Sequence, residues 1–232
     1  MQQHGYHHGN LRNALIEEVL AIVSQEGLHE VALREVARRA GVSHAALYHH
    51  FKDKAALLAA VAEQGFRKMH EEMMAQAARV GEDPWAQLEA IGVGYVHFAT
   101  RSPSHFRVMF TPEIESSPEV RQAGHATFAL LAKGLGRIGV PPKEAKIAAV
   151  AAWSLMHGLA VLWIDEQLEV AGLEGATVEE VAAQCASMLA VSAKARLKAN
   201  GRAQPSHTPT HRAPASQGEA IPRRRRTKGS GA

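Results

Sequence analysis

A single cysteine, Cys185, is all that 232 residues provide, so no disulfide can form within the chain. The N-terminus lacks the basic segment and apolar core of a secretion signal. Apolar runs such as residues 148–152 and 159–164 are too short to cross a bilayer. The expectation is a cytoplasmic protein with no membrane partner. Strand-like alternation bounded by turn residues is also missing, which leaves an all-α fold. No Gly-rich phosphate loop, zinc-type His/Cys spacing or G-x-S-x-G elbow occurs. His49 and His50 are adjacent, so on a helix they point roughly 100° apart and cannot share a metal as an i, i+4 pair would. Cys185 has no activating neighbour and reads as a small buried hydrophobe. No catalytic residue, metal site or cofactor is expected, and the chain does not read as an enzyme.

Net positive charge is scarce in the part of the chain that can fold. Residues 201–232 hold seven Lys/Arg against Glu219 alone, so this tail carries +6; with +3 overall, the other 200 residues carry −3. Residues 1–54 balance six basic against six acidic side chains and hold seven of the 14 histidines. A phosphate backbone favours protonated histidine, so a polyanion partner is compatible with this neutral segment. The tail is rich in Pro, Ser, Thr, Gly and Arg, and its few aliphatics cannot offset the entropy of ordering; disorder is expected.

What the chain does have is concentrated in residues 33–54, LREVARRAGVSHAALYHHFKDK. Leu33, Val36, Ala37 and Ala40 form the apolar stripe of a short helix, and Gly41 stops it. Ser43 can cap a second helix, residues 44–51, that turns Leu47 and Phe51 inward and His44, Ala45, Tyr48 and His49 outward. This is a helix-turn-helix with an exposed face suited to DNA: small residues that let backbone approach base edges, and Tyr and His that reach bases or phosphates. His44, Ala45 and His49 are expected at base edges, with Ser43, Tyr48, His50 and Lys54 on phosphates or positioning the helix. Arg34 and Ala46 complete the candidate DNA-binding set.

These residues resemble the signature of TetR/AcrR-type bacterial transcriptional regulators: Ala40, Gly41, Val42, Ser43, Leu47, Tyr48, His50, Phe51 and Lys54 stand at its offsets. Where the family usually has a Ser or Thr cap on the first helix of the pair, this chain has Ala32. A second likeness lies in AAWSLMHGLAVLW, where Trp153, His157 and Gly158 are spaced as in the Trp-His-Gly class of TetR-type C-terminal domains; the opening YHHGNLR is similar to members of that class. The resemblance implies a homodimer whose last two long helices form a four-helix bundle, a double-stranded DNA operator of two-fold symmetry, and an unknown small-molecule effector that releases a repressor. Ligand-independent binding or activation is the alternative.

The chain divides accordingly into an arm at 1–9, a DNA-binding three-helix bundle at 10–54, a larger helical ligand-binding and dimerisation domain at 55–199, and the tail at 200–232. Asn10 is expected to cap a first helix at 11–26, Asp53 a fourth at 54–80, and Asp83-Pro84 a fifth. Ser102-Pro103 and Ser117-Pro118 open helices by the same cap-then-proline logic, the first running to residue 110 and the second to 138, with a loop at 111–116. Residues 143–171 read as one helix, apolar nearly all round from 147 to 164 and therefore buried on several sides. Thr177 and Glu180 form a capping box for the last helix, whose stripe is Val178, Val181, Cys185, Met188, Leu189 and Ser192. Trp153 and His157 share a face and serve either as core or as pocket wall; Gly158 would let a helix or ligand come close. His97, Phe106, Phe110 and Phe128 are candidates for the opposite wall of a ligand site.

Overall fold

The computed structural model describes residues 8–114, 117–173 and 175–202. The arm ahead of residue 8, the loop at 115–116 and the basic tail beyond 202 lie outside these. Among the described residues all regular structure is helical: α1 His8–Gln25, α2 Leu33–Arg39, α3 His44–His50, α4 Lys54–Arg79, α5 Pro84–Arg101, α6 Pro103–Met109, α7 Pro118–Arg137, α8 Pro142–Ile164 and α9 Val178–Arg202, with short 3₁₀ turns at Leu28–Glu30, Pro112–Ile114 and Glu169–Ala171.

Several ends form as their residues dictate. Ser43 Oγ accepts from the Ala46 N–H at 3.1 Å and Asp53 Oδ1 from Ala56 at 2.7 Å. Asp83 caps α5 ahead of Pro84, and Ser117 caps α7 through the Val120 N–H. The Thr177/Glu180 box closes reciprocally, at 2.8 and 3.2 Å. Gly41 adopts φ +66°, the left-handed turn that separates α2 from α3. Ala32 makes no side-chain cap, in keeping with its missing hydroxyl.

Other expectations need correction. α1 starts at His8, so Asn10 lies inside its first turn rather than capping it; helix ends shift by a turn at little cost. Ser102 makes no side-chain cap bond; it also ends α5, where its N–H is held by the Phe98 carbonyl. The loop after α6 holds a 3₁₀ turn at Pro112–Ile114. α8 stops at Ile164: Glu166 takes φ 55°, and three polar residues, Asp165 to Gln167, turn the chain before a 3₁₀ segment at Glu169–Ala171.

The core is continuous from Leu15, Val19 and Val36 through Leu47, Leu57 and Met69 to Val96, Met156 and Ala186. α4 is its spine. At about 1.5 Å per residue this 26-residue helix spans about 39 Å, joining the Lys54 end beside α3 to the middle of the larger helical part. It crosses α5 at close range because Gly94 has no side chain: a Cβ there would stand 2.8 Å from the Met73 Cα. Overpacking against backbone costs about 1–3 kcal/mol, more than the ~1 kcal/mol alanine gains over glycine in a helix. Gly94→Ala is therefore expected to lower the melting temperature; an unchanged or raised value would show that α4 and α5 can separate freely.

The largest departure concerns α8 and α9. α8 is not buried on several sides: only Ala149, Met156, Leu159 and Ala160 are buried, while Val150, Leu155, Val161 and Leu162 stay exposed. On α9 the inward stripe is Ala182, Ala186 and Ala190, small enough for α5 to come close, with Val178, Val181, Cys185 and Leu189 half-buried beside it. Met188 at 68% and Val191 at 62% exposure point away, as does Ser192. A Cβ on Gly158 would meet nothing within 4 Å, so none of the described helices of the same chain approaches it. By length and composition alone the 23 residues of α8 would suffice to cross a membrane; the single runs looked too short because Ser154, His157 and Gly158 interrupt them without making the helix polar.

Candidate DNA-binding face and ligand cavity

α3 is a seven-residue helix held from beneath by Leu47 and Phe51, both buried, so its other face is free. His44, Ala45, His49 and Tyr48 are exposed there, Tyr48 at 51%. The His44 and Tyr48 rings meet edge to face, 6.0 Å between centroids, so one turn of helix presents a joined aromatic surface. Ala46, His50 and Lys54 are half-exposed at its flanks, and Ser43 stands exposed at the helix start.

Charge on this unit is distributed by pairing. Glu35 binds Arg38 at 2.6 and 2.8 Å and Arg39 at 2.7 Å, and the two guanidiniums hold its carboxyl down at about 2. Arg39 also pairs with Glu26 and reaches Gln25. Arg34, exposed on α2, stands outside this network. Sequence reasoning missed Arg12: it lies on α1, 5.5 Å from the Phe51 ring, which brings a cation beside Lys52 and Lys54 at the C-terminal end of α3. Only the fold could reveal that, since 39 residues of sequence separate Arg12 from Phe51.

The larger helical part holds a half-open cavity of about 800 Å³ between α4, α5, α7, α8 and α9. Phe110, Phe128 and Trp153 line it, as does Tyr95. Phe106 and His157 do not; they border a separate hollow of about 140 Å³ beside the Arg107–Asp165 ion pair. His97 lines neither, with Nδ1 2.9 Å from Glu72 and Nε2 3.6 Å from Glu179. The greater share of the wall was invisible in the sequence. Met69 and Met73 stand at ordinary apolar positions of α4, and only packing leaves space in front of them.

Between cavity and hollow lies a hydrogen-bonded relay. Trp153 Nε1 donates to the Tyr95 hydroxyl at 3.2 Å, and that hydroxyl is 2.8 Å from His157 Nδ1. Burial pushes the Tyr95 phenol up and the His157 imidazole down. The phenol therefore keeps its proton beside a neutral ring, and the direction of the bond between them follows the tautomer of His157. Phe106 lies tilted against His157 at 5.2 Å between centroids and Phe110, which ends α6, meets it edge to face at 4.7 Å, so α6 rests on the relay while also packing against α1 and α4.

His105, on α6, is buried and 2.9 Å from Gln64 Oε1. Burial, reinforced by the nearby Lys68 charge, pulls it from 6.5 to about 4. Below pH 6.5 the unfolded chain takes up a proton that the folded chain refuses until about pH 4. Stability from this site is thus complete above pH 6.5 and is lost as the pH falls toward 4. Melting temperatures at about pH 7.5 and about pH 5 should differ less for His105→Gln than for the parent chain; equal differences would remove His105 from the acid response.

Comparison with known proteins agrees with this layout. Residues 15–61 match the family model "Bacterial regulatory proteins, tetR family", and residues 88–189 match "Tetracyclin repressor-like, C-terminal domain". The HTH-type transcriptional regulator BetI of Yersinia pestis (strain Pestoides F) is 38% identical over 84 residues, 36% of this chain and 42% of that protein, so the chain spans less than half the length of that relative. BetI of Serratia proteamaculans (strain 568) is 26% identical over 174 residues, covering 71% of this chain and 85% of that one. Among solved structures, a protein of unknown function from Rhodococcus sp. RHA1 superposes with TM-score 0.69 at 29% identity, over 82% of this chain and 98% of its own. The TetR family transcriptional regulator PfmR from Thermus thermophilus shares the fold at TM-score 0.60 and 18% identity, over 76% and 97%. With the helix-turn-helix and the larger helical part each matched by a model of the same family, and the helical architecture shared with a solved member, this chain belongs to the tetR family of bacterial regulatory proteins.

Proposed function

We propose that the protein is a homodimeric transcriptional repressor of the cytoplasm that binds a palindromic operator through α3 and is released when a small molecule fills the cavity. The observation that carries this reading is the exposed face of α3, where His44, Ala45, Tyr48 and His49 stand free on a helix fixed by Ser43, Leu47 and Phe51. In this reading residues 10–54 are the DNA-binding domain and 55–199 the ligand-binding and dimerisation domain. A helix of seven residues reads only a few base pairs, and a dyad doubles the site. The unpartnered apolar face of α8 and α9 supplies the means: Val150, Leu155, Leu162, Met188 and Val191 are exposed in the single chain, and the open space at Gly158 leaves room for a partner helix.

Release requires the ligand to prefer the DNA-incompetent spacing of the two recognition helices. Two elements link cavity to DNA face. α4 contributes Phe66, Met69 and Met73 to the wall and carries Lys54 at its other end; α6 rests on the Trp153–Tyr95–His157 relay through Phe106 and Phe110.

At the DNA face, Tyr48 and Lys54 position the helix on phosphates while His44 reads a base. Tyr48→Phe is expected to weaken all sequences by a similar factor. His44→Ala is expected to relax one position of the site, at about 1–3 kcal/mol for the lost base contact. Sequence selection that returns an unchanged motif for His44→Ala would remove that residue from the readout.

A further inference from the structure

Aromatic residues make up 5% of the chain, yet Phe66, Tyr95, Phe110, Phe128 and Trp153 all line the large cavity. Four of them form a row in which each ring contacts the next. Phe66 meets Phe110 edge to face at 5.6 Å between centroids, Phe110 lies tilted against Trp153 at 6.3 Å, and Trp153 meets Phe128 edge to face at 6.3 Å. The row thus crosses from α4, past the end of α6, to α8 and α7. Phe106 and His157, which border the hollow and not the cavity, pack on Phe110 at 5.1 and 4.7 Å, and His157 lies 5.9 Å from Trp153. Rings braced in this way need little reordering to receive a ligand. They are not closed core, since Trp153 and Phe110 remain 38% and 37% exposed.

The buried part of the wall carries no charge. Its residues are apolar, thioether or hydroxyl-bearing, with Met69, Met73, Met109 and Met156 among them; a thioether gains from contact with an aromatic ring. The Trp153 N–H already donates to the Tyr95 hydroxyl and the Thr127 hydroxyl to the Ala123 carbonyl, so Trp153 offers a ligand its ring alone. The ionisable residues of the wall stand toward water: Arg121, His125, Lys143 and Arg196 are exposed, and Glu89 and Glu144 half-exposed. A charge carried inward past them would lose its hydration and find no ion partner among the buried wall residues.

Resting on the effector reading above, we propose that the cavity takes an uncharged molecule built on fused aromatic rings, seated against the row of Phe66, Phe110, Trp153 and Phe128. A cavity of about 800 Å³ falls within the roughly 300–1,000 Å³ of pockets that hold drug-sized ligands. A flat ring system makes offset or edge-to-face contacts with several wall rings at once, beyond the burial that any apolar molecule of its size would gain.

The test uses the full-length protein and 9-phenanthrol, an uncharged three-ring probe followed by its own fluorescence anisotropy; other compounds are measured by their displacement of it. 9-Phenanthrol should bind once per protomer, at least about fivefold more tightly than its fully saturated alcohol. It should also bind at least about tenfold more tightly than phenanthrene-9-carboxylate or the 9-aminoacridine cation. Trp153→Leu with Phe110→Leu keeps the wall apolar and should bring 9-phenanthrol down to the affinity of the saturated alcohol, with thermal melting used to establish that the variant folds. Phe128→Leu, at the half-buried end of the row, should by itself weaken 9-phenanthrol and leave the saturated alcohol unchanged, and it decides alone if the double variant does not fold. No binding of 9-phenanthrol, equal affinity for it and the saturated alcohol, tighter binding of either ion, or affinity unaffected by the variants would overturn the proposal. Band-shift titration on the operator separates it from the parent reading. 9-Phenanthrol that binds as described without releasing DNA upholds the aromatic site and defeats the effector role; release by a saturated or charged compound, with 9-phenanthrol failing to bind, does the reverse.

Discussion

Leu155→Glu combined with Val191→Glu is expected to yield a folded monomer that has lost roughly 1000-fold in operator affinity, the scale that separates specific from non-specific DNA binding. Both side chains are exposed, Val191 at 62%, and neither lines the cavity, so the substitutions disturb little within one chain. In a four-helix bundle built from two copies of α8 and α9 they would place four carboxylates in an apolar contact. Burying an unpaired charge costs far more than the contact gains, and the dimer should dissociate. Each half then keeps its α3 but loses the second half-site. Light scattering on a size-exclusion column gives the mass, and band shifts on the palindrome give the affinity. A variant that remains dimeric would move the interface elsewhere. A parent chain that is monomeric in solution would leave the apolar face of α8 without the partner assigned to it, and the ability of that helix to span a membrane by length and composition would then need direct testing with vesicles.

Leu47→Ala is expected to cost about 2–5 kcal/mol, the range for a large-to-small change in a packed core. Leu47 is 1% exposed and is the one buried residue of α3. The turn at Gly41 and the cap at Ser43 orient the helix; Leu47 anchors it. For a domain of this size ~1 kcal/mol shifts the melting temperature by about 2–4 °C, so a fall of roughly 4–20 °C should be seen, and operator binding should fail at temperatures where the rest of the chain still melts cooperatively. A melting temperature within a degree or two of the parent would mean that α3 is held by something other than this contact.

Much of the site's local geometry was legible in the sequence, and the reasons are physical. Gly41, Ser43, Leu47 and Asp53 act through neighbours within four residues, so spacing alone predicts the turn, the two caps and the inward face. Distant contacts were not legible. Arg12 reaches Phe51 from another helix, and Tyr95 meets Trp153 and His157 across some sixty positions. Apolar periodicity also says that a residue is hidden without saying from what. It placed Met188 in the core, yet that side chain is exposed in the single chain, and it took the apolar circumference of α8 for burial within one copy. Cavity walls suffer the same ambiguity: Met69 and Met73 carry the pattern of any core helix, and only the packing of α7 and α8 leaves space in front of them.

The central claim, that two copies of α3 read a symmetric DNA site, is tested most directly by selecting binding sites for the purified protein from random duplexes. The account predicts an inverted repeat, with half-sites about one helical turn apart or a small multiple of it, and loss of preference at one symmetric pair of positions for His44→Ala. Enrichment of no sequence, or of a single unrepeated half-site by a dimeric protein, would contradict it.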